Sequence, residues 1–408
     1  MIKLPPKPER AAVTGRFNPS QTERMMSFNM NLNMAEITRL TRAGRLAEAM
    51  ALLRGRPAPP NSSAAPKPVD PQGPALGPQG LRRFLDGLGK LGASPQGLAH
   101  PRPPTPPISL PDGARFDERV YANHAGSRTY KLYIPSRYGG APLPLIVMLH
   151  GCKQSPDDFA AGTQMNMLAE EKLFLVAYPA QSAAANPSHC WNWFSAADQQ
   201  RDAGEPSLIA GITREVMRDY AIDPRCVYIA GLSAGGAAAA IMGDAYPDLY
   251  AAIGVHSGLA RGAARDMPSA FAAMQGNGAP APRHARTGPA GSRPRVVPAI
   301  VFHGDKDTTV NPRNADFVVA QSGQGASLRR RVEKGQVAGG LAYSRMLHAD
   351  ASGETVVEQW VIHGAGHAWS GGSPAGSYTL PRGPDATGEM VRFFLEHPLP
   401  PGMHHKLH

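Results

Sequence analysis

The run Val227-Tyr228-Ile229-Ala230-Gly231-Leu232-Ser233-Ala234-Gly235-Gly236, followed by four alanines at 237–240, decides how this chain is interpreted. An apolar run, a glycine-bounded turn and a helix-forming segment follow one another, which predicts strand, tight turn and helix. Gly231, Ser233 and Gly235 fit the pattern G-x-S-x-G, in which a strained turn raises a serine hydroxyl above a sheet. Small residues on both sides keep that turn clear of the neighbouring backbone. We therefore take Ser233 as a candidate nucleophile.

Charge and proline are unevenly distributed along the 408 residues. Of the 41 prolines, 19 precede Arg115, and the same segment carries 15 Lys and Arg against 7 Asp and Glu. The net charge of +10 therefore belongs mostly to residues 1–114, and the remainder is nearly balanced. Because the basic segment has few aromatic residues and no sign of a folded basic face, the composition argues against nucleic-acid binding.

These shifts in composition predict three regions. Residues 1–114 form an N-terminal tail with a short helix at about 34–54 and a Pro-rich linker, residues 115–397 form the folded body, and residues 398–408 form a C-terminal tail. No apolar run approaches the roughly 20 residues of a membrane span, so no transmembrane segment is expected. The first residues lack the continuous apolar stretch of a signal peptide.

Short apolar strands alternate with helices through the folded body, which predicts a mostly parallel sheet with helices on both faces and ligand sites at the carboxyl ends of strands. The stretch 260–298 has little periodicity and is predicted to be a mobile insertion. The predicted strands are Thr129–Ile134, Leu145–Leu149, Leu173–Tyr178, Cys226–Ala230, Ala251–His256, Ala299–Phe302 and Val356–Ile362. The predicted helices are Asp157–Lys172, Ser207–Tyr220, Ala234–Tyr246 and Asp385–Glu396.

A nucleophilic serine needs a histidine base, and that base needs an acid to orient it. In sheets of this type the expected chain order is serine, acid, histidine. The strand at 299–302 runs into a turn that carries two acids, Asp305 and Asp307. The turn pattern H-G-x-x-D-x-x-V selects Asp307 as the acid and leaves Asp305 in support. The alternative is that both carboxylates only cap the turn.

The candidate base is His367, which stands in a glycine-flanked loop after the strand that ends at residue 362. The flanking glycines would let its ring reach across the strand ends. His363 competes for the role, but it lies close to the strand and has no glycine before it. His256 is expected only to pack at a strand end.

An ester-cleaving site also needs amides that point at the developing oxyanion. One is expected from Ala234, directly after the nucleophile, and the other from Cys152, in the loop that follows the strand ending at residue 149. His150 is expected to orient this loop rather than to titrate.

The three cysteines are too few and too scattered for a disulfide scaffold or a zinc site, so neither a metal nor a cofactor is predicted. Cys152 and Cys190 both follow strand ends, and a disulfide between them is one hypothesis. Such a bond would tie the oxyanion loop, which is the loop that follows residue 149 and carries Cys152, to the segment that carries Trp191 and Trp193. These indoles could line an acyl pocket or be ordinary core residues, since tryptophan is largely buried on average.

Four motifs carry a resemblance to a known family when they are taken together. They are Leu149-His150-Gly151-Cys152, Cys190-Trp191-Asn192-Trp193-Phe194, Gly231-Leu232-Ser233-Ala234-Gly235-Gly236 and Gly364-Ala365-Gly366-His367-Ala368-Trp369-Ser370-Gly371-Gly372. In this order they resemble the poly(3-hydroxybutyrate) depolymerase family of esterases, over about residues 115–397. The resemblance extends to feruloyl and acetylxylan esterases.

The resemblance implies an α/β-hydrolase fold with Ser233, Asp307 and His367 in the triad positions. It adds Trp369 to Trp191 and Trp193 as candidates for substrate contact. Secreted members that attack polymer granules carry a signal peptide and a separate substrate-binding domain, and neither is recognised here. An extracellular or periplasmic location therefore rests on the resemblance alone, and the cytoplasm is the alternative.

The sequence thus predicts a serine esterase without cofactor, and the resemblance implies short-chain hydroxyalkanoate oligomers or polymer as its substrate. A feruloyl or acetylxylan esterase using the same triad is the second hypothesis. The third is a non-catalytic scaffold or adaptor whose basic arm binds an acidic surface or partner. The intact serine, acid and histidine in the expected order favour an enzyme.

Overall fold

A computed structural model describes residues 110–278, 295–323 and 327–401 of the chain. The helix predicted at about 34–54 and the Pro-rich linker lie outside these residues, as does part of the stretch 260–298. None of the helices in the described ranges is long and apolar enough to cross a membrane.

The described residues form twelve strands and seven α-helices. The strands are β1 (Arg115–Asn123), β2 (Gly126–Ile134), β3 (Leu143–Leu149), β4 (Leu175–Pro179), β5 (Ile222–Leu232), β6 (Ala252–His256), β7 (Ala299–Gly304), β8 (Arg329–Gln336), β9 (Ala342–Ala349), β10 (Thr355–Ile362), β11 (Trp369–Ser370) and β12 (Thr379–Leu380). The helices are α1 (Pro156–Thr163), α2 (Met165–Lys172), α3 (Gly204–Asp219), α4 (Ala234–Ala245), α5 (Met267–Ala272), α6 (Arg313–Ser322) and α7 (Ala386–Glu396).

Ten strands form one sheet in the order β1-β2-β4-β3-β5-β6-β7-β10-β9-β8. Six neighbouring strands pair in parallel, in the order β4, β3, β5, β6, β7 and β10. Two antiparallel strands flank them on each side, β2 and β1 on one side and β9 and β8 on the other. The carboxyl ends of the parallel strands therefore meet along one edge, where the nominated residues follow β3, β5, β7 and β10.

Helices cover both faces of the sheet, because the apolar side chains of its central strands point alternately to two cores. On one face, side chains of α3, α4 and α6 join the core, among them Ile212, Ala237 and Val318. On the other face, α1, α2 and α7 contribute residues that include Phe159 and Phe394. The predicted α/β architecture, mostly parallel with helices on both faces, is confirmed.

The prediction of a single helix at Asp157–Lys172 is wrong. This segment forms two helices, α1 and α2, which are separated by Gln164, whose φ of 56° is left-handed. A Cβ at Gly162 would lie 3.0 Å from Thr379 and 3.3 Å from the backbone of Gly376, so the last turn of α1 is pressed against another chain segment. Tertiary packing, rather than a local helix breaker, ends the helix here.

Candidate active site

Ser233 is the single residue between β5 and α4, and its backbone is left-handed with φ 59° and ψ −119°. A Cβ on Gly231 would overlap the backbone of Gly235, and one on Gly235 would overlap the carbonyl oxygen of Leu149. Only glycine fits at these two positions, so the turn can be this tight. The structure therefore places Ser233 on the strained strand-to-helix turn that the sequence predicts.

The candidate acid, Asp307, and the candidate base, His367, are in direct contact. Nδ1 of His367 donates to Oδ2 of Asp307 at 2.7 Å. The other oxygen, Oδ1, accepts the amides of Thr309 and Val310, each at 2.9 Å. Burial alone would raise the pKa of Asp307, but hydrogen bonds and charge from His303 and His367 outweigh burial and hold that pKa well below its usual range. Asp307 is therefore an anion suited to orient His367 and to stabilise its protonated form.

His303 is a second histidine on the same carboxylate, and the sequence reasoning missed it. Its Nε2 donates to the carbonyl oxygen of Val310 at 2.8 Å and lies 3.3 Å from Oδ2 of Asp307. The His303 ring is buried, and its contacts with Val310 and Asp307 stabilise the turn that carries Asp307. The signal was present, because His303 opens the same turn motif that selected Asp307.

Asp305 supports the loop of the base instead of binding the base itself. Its carboxylate accepts the amide of Gly364 at 2.7 Å and Nδ1 of His363 at 3.1 Å. The amide of Lys306 donates to the carbonyl oxygen of Ala365 at 2.9 Å. The competitor His363 thus pairs with the supporting acid.

His256 connects the turn that carries Ser233, the serine turn, to the loop that carries His367 and Ser370, the base loop. Only packing at a strand end was expected of it. The Ser233 amide donates to the carbonyl oxygen of His256 at 2.9 Å. The His256 side chain accepts the Ser370 amide on Nε2 at 3.0 Å, which requires a neutral ring. Its ring stacks between Phe302 and Trp369. Burial, with repulsion from His303 and His367, holds the pKa of His256 well below 6.5 and so keeps the ring neutral.

The oxyanion loop after β3 is fixed by its own amides. Gly151 donates to Oε1 of Gln154 at 2.9 Å, Lys153 donates to Ser188 at 2.8 Å, and Gln154 donates back to Gly151 at 3.3 Å. Among these residues the Cys152 amide alone has no acceptor within the described part of the chain. A Cβ on Gly151 would lie 3.6 Å from Cβ of Ser233, so the loop borders the nucleophile.

The Ala234 amide opens α4, and the first amides of a helix have no intrahelical acceptor. The amides of Cys152 and Ala234 are thus both available for an oxyanion.

His150 anchors the oxyanion loop from beneath. Its Nδ1 donates to the carbonyl oxygen of Gly151 at 2.8 Å, and its Nε2 accepts the Gln181 amide at 3.0 Å. Burial lowers the pKa of His150 to about 4, and repulsion from His189 adds to this effect. A neutral ring with both nitrogens engaged fits the expected orienting role.

The disulfide between Cys152 and Cys190 is present, which confirms that hypothesis, and Cys226 is the free cysteine. The loop that carries Cys190 is held by a buried acid that the sequence reasoning missed. Glu205 accepts the backbone amide of Asn192 at 2.7 Å and its side-chain amide at 2.8 Å, and it also accepts the side-chain amide of Gln181. Cys152, whose amide is the candidate oxyanion donor, is therefore tied covalently to an anchored loop.

The three tryptophans nominated for substrate contact are all buried. Trp191 is 0% exposed, Trp193 7% and Trp369 1%. Trp369 donates its Nε1 to Oγ1 of Thr387 at 2.9 Å. Trp191 packs against the ring of His150 and Trp369 against that of His256. Substrate contact by any of the three tryptophans stays a prediction.

The structure thus brings Asp307 to His367 and places the oxyanion loop beside Ser233. In the described residues no hydrogen bond joins Oγ of Ser233 to Nε2 of His367. Catalytic hydrogen bonds are often long in unliganded enzymes and tighten when substrate is bound. The two residues are connected through His256 instead, which touches the turn of one and the loop of the other.

Comparison with known proteins shows that the chain is similar to esterases. The sequence model of the family described as Esterase PHB depolymerase matches residues 128–328. Poly(3-hydroxyalkanoate) depolymerase C of Paucimonas lemoignei is 30% identical over 256 residues, which cover 60% of this chain and 60% of that relative. Feruloyl esterase B of Thermothelomyces thermophilus is 30% identical over 203 residues, which cover 47% of this chain and 67% of that relative.

A solved acetyl xylan esterase from Aspergillus awamori shares the fold, with a TM-score of 0.51 and 21% identity over 66% of this chain and 94% of that one. The residues that the family model matches include Ser233 and the loop that follows β3. The chain therefore belongs to the PHB depolymerase family of esterases, which share the α/β-hydrolase fold.

Proposed function

We propose that the protein is a serine esterase that hydrolyses short-chain hydroxyalkanoate esters, such as 3-hydroxybutyrate oligomers or polymer. The observation that carries the proposal is the 2.7 Å bond from His367 to a buried, anionic Asp307, close to the strained serine turn. The relative from Paucimonas lemoignei, a depolymerase by name, supports the substrate class.

In the first half of the reaction, Nε2 of His367 takes the proton of Ser233 while Oγ bonds to the ester carbonyl carbon. The carbonyl oxygen becomes an oxyanion, which the amides of Cys152 and Ala234 stabilise. The C–O bond to the alcohol then breaks, and His367 returns its proton to the departing oxygen. An acyl-enzyme on Ser233 remains.

In the second half, water attacks the acyl carbon and gives a proton to His367. Collapse of the second oxyanion breaks the bond to Oγ, and the proton passes back to Ser233. The carboxylic acid leaves and the enzyme is restored. Asp307 keeps its charge throughout, because its role is to orient and stabilise the imidazolium.

The test is Ser233→Ala on a short chromogenic ester. Hydrolysis should fall to the background rate while the circular dichroism spectrum stays that of the wild type. A variant that retains turnover would reject the proposed nucleophile. A folded wild type that hydrolyses no ester would instead favour the non-catalytic scaffold.

A feruloyl or acetylxylan esterase is the second candidate, favoured by the match to feruloyl esterase B. The two are separated by comparing kcat/KM on 3-hydroxybutyrate oligomers, a feruloyl ester and acetylated xylan. The first proposal requires the oligomers to be the best substrates.

We also infer that the protein works in an oxidising compartment, extracellular or periplasmic. The disulfide supports this, because such bonds persist where thiols are not kept reduced. Counting thiols in protein isolated without reductant tests the inference.

A further inference from the structure

A cleft of about 490 Å³ opens beside the oxyanion loop, and the reaction described above does not use it. It lies over the carboxyl ends of β3 and β4, where ligands bind in parallel sheets. Most of the residues that line it have polar side chains, among them His150, Lys153, Gln154, Asp158 and His189.

The cleft and the active site share one wall. Gln154 lines the cleft and also holds the Gly151 amide, and Lys153 directly follows Cys152. Strands β4, β3 and β5 are neighbours. With strands about 4.8 Å apart, the boundary between β3 and β4 is roughly 7 Å from the β5 line that leads to Ser233. A substrate bound through its ester group can reach the cleft with its far end.

Lys153 brings a positive charge to the cleft. The side chain is exposed, and within the described ranges it forms no ion pair. The carboxylate that shares the cleft, Asp158, is engaged internally: it accepts Nε2 of Gln154 at 3.0 Å, the Ser377 amide at 2.9 Å and the Ser377 hydroxyl.

The backbone from which the Lys153 side chain extends is held in an unusual conformation. Lys153 has a left-handed φ of 64°, which is uncommon for a residue with a side chain. Its backbone amide donates a hydrogen bond to the carbonyl oxygen of Ser188, which holds it there. His189, which also lines the cleft, is left-handed too, with φ 52°. Both residues adjoin the Cys152–Cys190 disulfide. Strained backbone concentrates at functional sites, where surrounding contacts impose it.

We propose that Lys153 binds a free carboxylate at the end of the substrate remote from the scissile ester. This inference rests on the proposed esterase function and narrows its substrate class to short acidic esters. A hydroxy acid oligomer carries one such carboxylate at its end, whereas the interior of a polymer chain carries none. The enzyme should therefore favour short oligomers over internal polymer bonds.

The experiment compares the 3-hydroxybutyrate dimer as its free acid with the same dimer capped as the neutral amide. An exposed ion pair contributes up to about fivefold, so kcat/KM should favour the acid by about threefold to fivefold at low salt. Lys153→Gln should bring the ratio to about one, and Lys153→Arg should keep most of the preference. Lys334→Gln, which changes another exposed lysine, should leave the ratio unchanged.

The dependence of this preference on salt concentration can be measured on the wild-type enzyme. Raising it from about 0.01 M to about 1 M shortens the Debye length from about 30 Å to about 3 Å, so the preference should vanish. A wild-type ratio of one, or a preference that survives Lys153→Gln, would overturn the inference and leave the esterase standing. If neither dimer nor any chromogenic ester is cleaved, the proposed function itself has failed.

Discussion

Replacing His256 with phenylalanine tests how the base loop is held against the serine turn. Phenylalanine keeps a ring between Phe302 and Trp369, whose centroids lie 5.7 and 5.1 Å from that of His256. It has no nitrogen to accept the buried Ser370 amide. A buried donor left without a partner costs about 1–3 kcal/mol, so we expect a loss of about 2 kcal/mol in unfolding free energy near neutral pH.

This difference should disappear in acid. The pKa of His256 lies well below 6.5 in the folded protein, so only the unfolded chain takes up the proton as pH falls. Below about pH 6.5 that uptake lowers the wild-type unfolding free energy by about 1.4 kcal/mol per pH unit, and the variant lacks it. The stability contributed by a neutral His256 is thus present above pH 6.5 and lost below. The two proteins should be equally stable near about pH 5.

The assay is urea unfolding followed by circular dichroism at several pH values, together with kcat on a chromogenic ester. His256→Gln, which keeps an acceptor, should recover part of the stability and part of kcat. KM should change less than kcat, because the bond to Ser370 positions the base loop and not the substrate. Equal stability near neutral pH, or a gap that does not narrow in acid, would refute the reasoning.

Three further substitutions test other parts of the site. Asp307→Asn removes the anion that orients the base and should lower kcat by about 10⁴-fold in steady-state assays. Gly235→Ala places a methyl group onto the Leu149 carbonyl oxygen, and such overpacking should cost about 1–3 kcal/mol in urea unfolding as well as displacing Ser233. Cys190→Ser opens the disulfide, whose cysteines are 38 residues apart, and should cost about 3–4 kcal/mol in the same experiment.

The first two have matched control variants, and a thiol count checks the third. Asp305→Asn should reduce activity far less than Asp307→Asn, and the reverse order would reassign the acid. Gly139→Ala meets nothing within 4 Å of the new methyl group and should leave stability unchanged. Unreduced, denatured protein should show one free thiol, that of Cys226, and three would contradict the disulfide.

The sequence predicted those parts of the site that depend on local order along the chain. Ser233, Asp307 and His367 each follow a buried strand, and buried strands are strongly apolar in sequence. The turn motif H-G-x-x-D-x-x-V is also local, and its acid position falls on Asp307 and not on Asp305. In the structure the two aspartates bind different histidines, as that distinction requires.

Contacts between distant segments could not be predicted in this way. The Ser370 amide and the His256 ring are 114 residues apart in sequence, and no spacing rule connects them. The strands β1, β8 and β9 were not predicted. Two of them, β1 and β8, are the edges of the sheet, and β8 reads Arg-Arg-Arg-Val-Glu-Lys-Gly-Gln and is largely exposed. An edge strand needs little apolar surface, so its pattern is weak.

The central claim is that Ser233 is an activated nucleophile, and a fluorophosphonate probe tests it most directly. The probe should form one covalent adduct, with loss of fluoride, and peptide mass spectrometry should locate it on Ser233. Labelling should be slowed strongly by His367→Ala and abolished by Ser233→Ala. An unlabelled wild type, or an adduct on another residue while Ser233→Ala still hydrolyses esters, would contradict the account.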